Sequence, residues 1–220
     1  MKTLFLILVV ASFPALCKGG ERGEQYLTET MIPLAQTFLS RITQTNAPPL
    51  ETNQVKSFKV DFFDDRPGCT AAMRLTNGCV FRTYSENGKS EVNGFHRPIK
   101  TYYALENAPK EKVVAVNALN LQNKLNKDSA LILAQKYFRL LGHHEDNFHA
   151  PEILQCYWSG EVGGKLPYYE ITWYRKDVTA KELADNDSRA KLKTVVIEIS
   201  GIDSSLISYS KGLLPINSDF

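Results

Sequence analysis

The stretch from Asn126 to Arg175 reads NKDSALILAQKYFRLLGHHEDNFHAPEILQCYWSGEVGGKLPYYEITWYR, and its pattern decides the architecture. Asn126 is a good helix N-cap, Asp128 places a negative charge where the helix dipole favours one, and Ser129 sits at the third helical position. Ala130, Leu133, Ala134, Tyr137, Phe138 and Leu141 then recur at spacings of three and four. That is the stripe of a helix burying one face, and Gln135, Lys136 and Arg139 fall outside it. Gly142 predicts a left-handed stop. Beyond it, Glu152 to Ser159 and Tyr168 to Arg175 are rich in aromatic and β-branched residues, and the Gly160 to Pro167 stretch between them reads as a turn. A helix followed by a hairpin is the simplest reading.

Working outward toward the N-terminus, Glu21 to Thr43 carries a second helical stripe of Leu27, Met31, Leu34, Ala35, Phe38 and Ile42. Pro33 interrupts it, so the helix is expected either to kink there or to have its true boundary at Ile32. After Pro48 and Pro49 the period changes to alternation, with Phe58, Val60 and Phe62 against Lys59 and Asp61, a half-buried strand. Asp64 to Gly68 is a turn, and Thr70 to Leu75 and Val80 to Tyr84 are two more strands joined by Thr76-Asn77-Gly78, read as the chain's strongest hairpin signal. Ser85 to Pro109 reads as connecting structure. Lys112 to Leu125 is ambiguous between strand and helix. Toward the C-terminus, Lys176 to Lys191 is highly charged, and Val195, Ile197 and Ile199 alternate before Gly201 to Ser204 turns the chain into Leu206 to Tyr209.

The two halves share an order. Leu34-Ala35-Gln36-Thr37-Phe38-Leu39 matches Leu133-Ala134-Gln135-Lys136-Tyr137-Phe138 at an offset of 99 residues (133 − 34). Each is followed by a strand with three alternating apolar positions: Phe58, Val60 and Phe62 in the first, Leu154, Cys156 and Trp158 in the second. The fold class expected is α+β, made of two similar helix-plus-antiparallel-sheet units, with residues 18–109 the first and 110–220 the second.

The N-terminus reads as an export signal. Lys2 precedes the apolar run Leu4 to Val10, and Ala15-Leu16-Cys17 supplies small residues at a signal peptidase site, so residues 1–17 are expected to be cleaved. The run is too short for a membrane span, which needs about 20 apolar residues. Cys17 offers a second reading as a lipidated N-terminal cysteine, although Leu16 is bulky for that signal. A membrane partner is expected only in that case. Loss of Lys2 lowers the formal charge from +2 to +1, and no basic run interleaved with aromatics is present, which argues against a nucleic-acid partner. Cys69, Cys79 and Cys156 remain, an odd number in an exported chain. Cys69 and Cys79 are the nearer pair, yet a two-residue Asn77-Gly78 turn would set Cys79 opposite Thr76 and far from Cys69. A disulfide and buried thiols both stay open.

The second half resembles a known family. Ala130-x3-Ala134-x2-Tyr137-x4-Gly142, then Tyr168-Tyr169-Glu170-Ile171-Thr172-Trp173, then Val195-Val196-Ile197-Glu198-Ile199 leading through a turn to a short strand, is similar to a PepSY-type domain of the kind found as tandem copies in YcdB-like exported bacterial proteins. The likeness covers about residues 126–210. It implies one helix against an antiparallel sheet, used outside the cytoplasm as an inhibitory or binding domain, with no catalytic residues to carry over.

Four constellations are candidates for chemistry. His143, His144 and His149, with Glu145 and Asp146, could hold zinc or copper, but adjacent histidines point apart and polar residues after a helix end are ordinary loop. Cys156 with His149 or His144 could form a nucleophilic pair, against the plainer reading of Cys156 as core between Leu154 and Trp158. Glu170 and Glu198 could be paired carboxylates for glycoside chemistry, or two solvent-face residues. Trp158, Tyr168, Tyr169, Trp173 and Tyr174 could line a groove for a peptide or sugar, against core and cross-strand pairing. The function expected is a non-enzymatic, peptidase-inhibitor-like or binding module that presents a sheet face or edge to an extracytoplasmic protein or peptide, with no cofactor. A secreted hydrolase or metal-dependent enzyme using the histidine loop is the alternative, and a structural envelope protein the third reading.

Overall fold

The computed structural model describes residues 20–98, 125–159, 165–179, 181–182 and 193–212. The expected export signal, the boundary at residues 109 and 110 and the ambiguous segment up to residue 124 lie outside them. The first helical stripe forms α1 (Gly20–Tyr26), a π-helical turn (Leu27–Met31) and α2 (Ile32–Thr43) in direct succession. Pro33 therefore does not end the helix. The proline lacks the N–H that would bond the preceding turn and its ring crowds that turn's carbonyl, and the wider turn just before it, in which the Ile32 N–H reaches the Leu27 carbonyl, absorbs the mismatch.

Four strands follow: β1 (Val55–Phe62), β2 (Gly68–Leu75), β3 (Val80–Glu86) and β4 (Lys89–His96). α3 (Lys127–Leu140) starts as its sequence predicts, with the Asn126 side chain accepting from the Ser129 N–H at 2.7 Å, and ends at Gly142 with φ of +88°. Strands β5 (Glu152–Ser159), β6 (Lys165–Tyr174), β7 (Thr194–Ser200) and β8 (Leu206–Lys211) follow among the described residues. All eight strands form one antiparallel sheet in the order β1-β2-β3-β4-β8-β7-β6-β5, closed at its middle by pairing of Phe95 with Tyr209. The α+β class holds, with a single continuous sheet.

Strand β4 replaces part of what reads as connecting structure. Asn87 and Gly88 have φ of +51° and +75° and join Glu86 directly to Lys89, so they form the two-residue hairpin turn with both central residues left-handed. At Thr76-Asn77-Gly78 the loop is one residue longer: the Leu75 N–H donates to the Cys79 carbonyl at 2.8 Å. Cys79 thus opposes Leu75, while Cys69 opposes Ser85, and both side chains are buried with no disulfide between them. The register, not the distance in sequence, rules out their disulfide.

One row of side chains crosses the whole sheet on the helix side: Phe58, Met73, Phe81, Phe95, Tyr209, Ile197, Ile171 and Ile153, each the register partner of the next. Phe38 from α2 lies 5.0 Å from the Phe95 ring and 5.6 Å from the Tyr209 ring, and Phe138 from α3 stacks on Trp173 at 4.5 Å. Both helices therefore bury their stripes in one hydrophobic core. Full burial of each such side chain is worth roughly 1.5–3 kcal/mol.

Candidate functional site

The histidine loop after α3 does not converge. His143 is half-buried, 4.8 Å from the Phe138 ring, and its Nε2 lies 3.0 Å from the Tyr209 hydroxyl, whereas His144 and His149 are exposed. The His149 N–H donates to the Tyr174 carbonyl, and the Arg139 guanidinium takes Glu145 at 2.8 Å. Among the described residues no three His, Cys, Asp or Glu side chains gather as metal ligands, and of His143, His144 and His149 only His143 turns inward. Burial, aided by the charge of Lys211 and then by His144, pushes the His143 pKa down to about 4, which leaves a neutral, half-buried ring beside the core.

The aromatic groove divides between two faces. Tyr169 and Trp173 point into the helix-side core and are buried; Tyr169 donates to the Leu125 carbonyl at 2.6 Å. Tyr168 alternates to the opposite face, where a side-chain hydrogen bond joins it to Cys156, its register partner. Cys156 is thus paired with a tyrosine, not a histidine. For Trp158 only the backbone is described, paired with Leu166. Of the groove residues Trp158, Tyr168, Tyr169 and Trp173, Tyr169 and Trp173 lie in the helix-side core and Tyr168 lies on the opposite face, so these three do not line one surface. The cause is the alternation of a strand, which sends Tyr168 and Tyr169 to opposite sides of the sheet.

The same parity corrects β5. Ile153, not Leu154, is the residue in the core row, so Leu154 and Cys156 belong to the opposite side, and Leu154 is 57% exposed. A one-residue change of register exchanges every side chain between faces, and the apolar alternation of Leu154 and Cys156 points to the wrong one.

Glu170 and Glu198 do meet. They are directly opposed register partners on that second face, with Ser208 on the other side of Glu198. Burial chiefly, then the facing Glu170, raises the Glu198 pKa to about 7, against a lowering hydrogen bond from Ser208. The row continues through His96 and Val80 to Arg74. Like charges directly opposed across strands are unfavourable, and protonation of Glu198 relieves that.

The feature that no single segment announces is the edge. Strand β5 closes the sheet on one side, and among the described residues nothing pairs with its outer side. It is eight residues long, its register with β6 is unbroken, and its only charged residue is Glu152. Tyr157 at 54% exposure and Leu154 at 57% stand out on its two faces, so an incoming strand would find an apolar side chain above and below it. Sequence order does not reveal which strands lie at an edge. The one local sign is Gln155, exposed between apolar neighbours. Comparison of the chain with protein-family models, with curated proteins and with solved structures finds no match.

Proposed function

We propose that this protein is a non-enzymatic binding module that takes an extended segment of another polypeptide as a ninth strand beside β5. The observation that carries this reading is the unguarded edge: a long, regular, nearly uncharged strand with Leu154 and Tyr157 exposed. Main-chain N–H and C=O groups along such an edge supply affinity, and the flanking side chains supply selectivity. The partner is an extended segment with an apolar residue on each face, free of proline where it must donate. The site lies on an extracytoplasmic protein in this proposal, in keeping with the export signal read in residues 1–17. The chain is proposed to be a tandem pair of PepSY-like helix-plus-four-strand units fused edge to edge. The mirrored row of Phe58, Met73, Phe81 and Phe95 against Ile153, Ile171, Ile197 and Tyr209 supports that reading.

The test is selection from a displayed library of short unstructured peptides, followed by amide hydrogen exchange. Selected peptides are expected to protect β5 and to bind Leu154→Lys/Tyr157→Lys about tenfold or more weakly, a loss of about 1.4 kcal/mol. Protection elsewhere, binding indifferent to the two lysines, or protection of β5 only through self-association of the chain would each overturn it.

A further inference from the structure

On the helix side, far from β5, a crevice of about 270 Å³ opens where α2 and the end of α3 lie over β4 and β8. Its apolar wall includes Phe38, Val92 and Leu141, while Arg41, Glu91 and Lys211 supply its charge. The His143 ring and the Tyr209 hydroxyl, 3.0 Å apart, form a polar ledge within it. Such a combination of apolar wall and a few placed polar groups is the usual make-up of a small-molecule site.

The charges in this crevice do not balance. Lys211 Nζ takes the Glu91 carboxylate at 2.6 Å, so those two cancel. His143 is held neutral. Arg41 comes from the last turn of α2, and among the described residues no acidic side chain forms an ion pair with its guanidinium. One uncompensated positive charge therefore faces the space, on a planar group that matches a carboxylate bidentately. A crevice of this size limits the occupant to a small molecule.

We propose that this crevice binds a small monoanionic carboxylic acid with a compact apolar body, its carboxylate on Arg41 and its body against Phe38, Val92 and Leu141. The residues come from both halves of the chain, so the ligand would bridge them. This proposal is independent of strand addition at β5.

The experiment titrates the full chain with a panel of acids from acetate to phenylacetate, and with phenylacetamide, following the His143 and Tyr209 ring resonances by NMR. The acids with an apolar body should shift both resonances saturably. Phenylacetamide should bind at least about tenfold more weakly, and Arg41→Gln, an exposed helix position, should cost the acids a similar factor. The His143 titration midpoint should rise on saturation, because an anion nearby favours the imidazolium. The other ionisable groups around it are Arg41 on α2, Glu91 on β4, Tyr209 and Lys211 on β8, and neighbouring His144, and all of these are the same in the parent chain with and without acid. Equal binding of acid and amide, shifts insensitive to Arg41→Gln, or no acid of the panel perturbing these rings would overturn the proposal.

Discussion

The two edges of the sheet are built on opposite plans. Strand β1 carries Lys56, Lys59 and Asp61 outward, its register with β2 shifts between Val55 and Ser57, and the Arg22 guanidinium sits 3.9 Å over the Phe62 ring. Strand β5 has one charge, an unbroken register and two exposed apolar side chains. Lysines and a bulge are the devices that keep an edge from pairing with another chain, so β1 carries guards that β5 lacks. They also differ inward. Phe58 and Val60 pin β1 to the core, whereas Ile153 is only half-buried against it. The edge proposed to accept a strand is thus the edge held least firmly.

That difference is measurable. Phe58→Ala removes a side chain that is 5% exposed from the end of the core row and is expected to cost about 3–5 kcal/mol. Ile153→Ala, the matching position at the other end, is expected to cost about 1–2 kcal/mol because its cavity opens to solvent. Urea unfolding at neutral pH gives both, and equal losses would erase the asymmetry between the edges.

The second face of the sheet sharpens it further, because Arg74 lies toward β1 and the opposed Glu170 and Glu198 lie toward β5. Glu198 has its pKa raised from 4.5 to about 7 by burial and then by Glu170, so the folded state holds a proton that the unfolded state releases. Stability from this group is complete below about pH 4.5 and is lost as pH rises toward 7, by up to about 3 kcal/mol. His143 runs the other way. Its pKa falls from 6.5 to about 4, so its contribution is complete above pH 6.5 and is lost as pH drops toward 4, by a similar amount. Between about pH 4.5 and 6.5 the two slopes oppose. Relative to the parent chain, Glu198→Gln should gain stability as pH rises from 5 to 8, and His143→Gln should gain it as pH falls from 6.5 to 4.5. Denaturant midpoints that track the parent at every pH would show that neither group is perturbed.

How much of this was legible follows the range of the interactions. The α3 cap at Asn126, the stop at Gly142 and the strands β1, β2, β3 and β7 are local or strictly periodic and can be read from their own residues, whereas β6 can be read only from Tyr168 onward, its first residues Lys165 to Pro167 falling in what reads as a turn. Strand β4 cannot, because Lys89 to His96 contains only Val92 and Phe95 as large apolar residues, and a register shift opposite Arg82 and Thr83 breaks their alternation. Pairing of Phe95 with Tyr209 joins residues more than a hundred positions apart and leaves no local trace. The facing of β5 misleads for a related reason: at an edge, Leu154 can be apolar without being buried. Of the candidate residues, Glu170 and Glu198 lie together as their strand positions allow, whereas His143, His144 and His149 do not, since only His143 is drawn inward, to Tyr209.

The smallest effect on stability belongs to the most direct exchange of the two edges. Leu154→Lys/Tyr157→Lys gives β5 the guards of β1, and because both side chains are more than half exposed it should change stability by no more than about 0.5 kcal/mol. Lys56→Thr/Lys59→Thr strips β1 of its guards at a similarly small cost, the exposed Lys59 and Asp61 pair being worth little to begin with. Association should respond in opposite directions: the first variant loses affinity for extended peptides, and the second gains self-association or peptide binding along β1. Sedimentation velocity over a concentration series, with hydrogen exchange locating the protected strand, distinguishes the two. If β1 stays solitary without its lysines, then the bulge after Val55 is the stronger guard, and the charge difference between the edges matters less than the regularity of their registers.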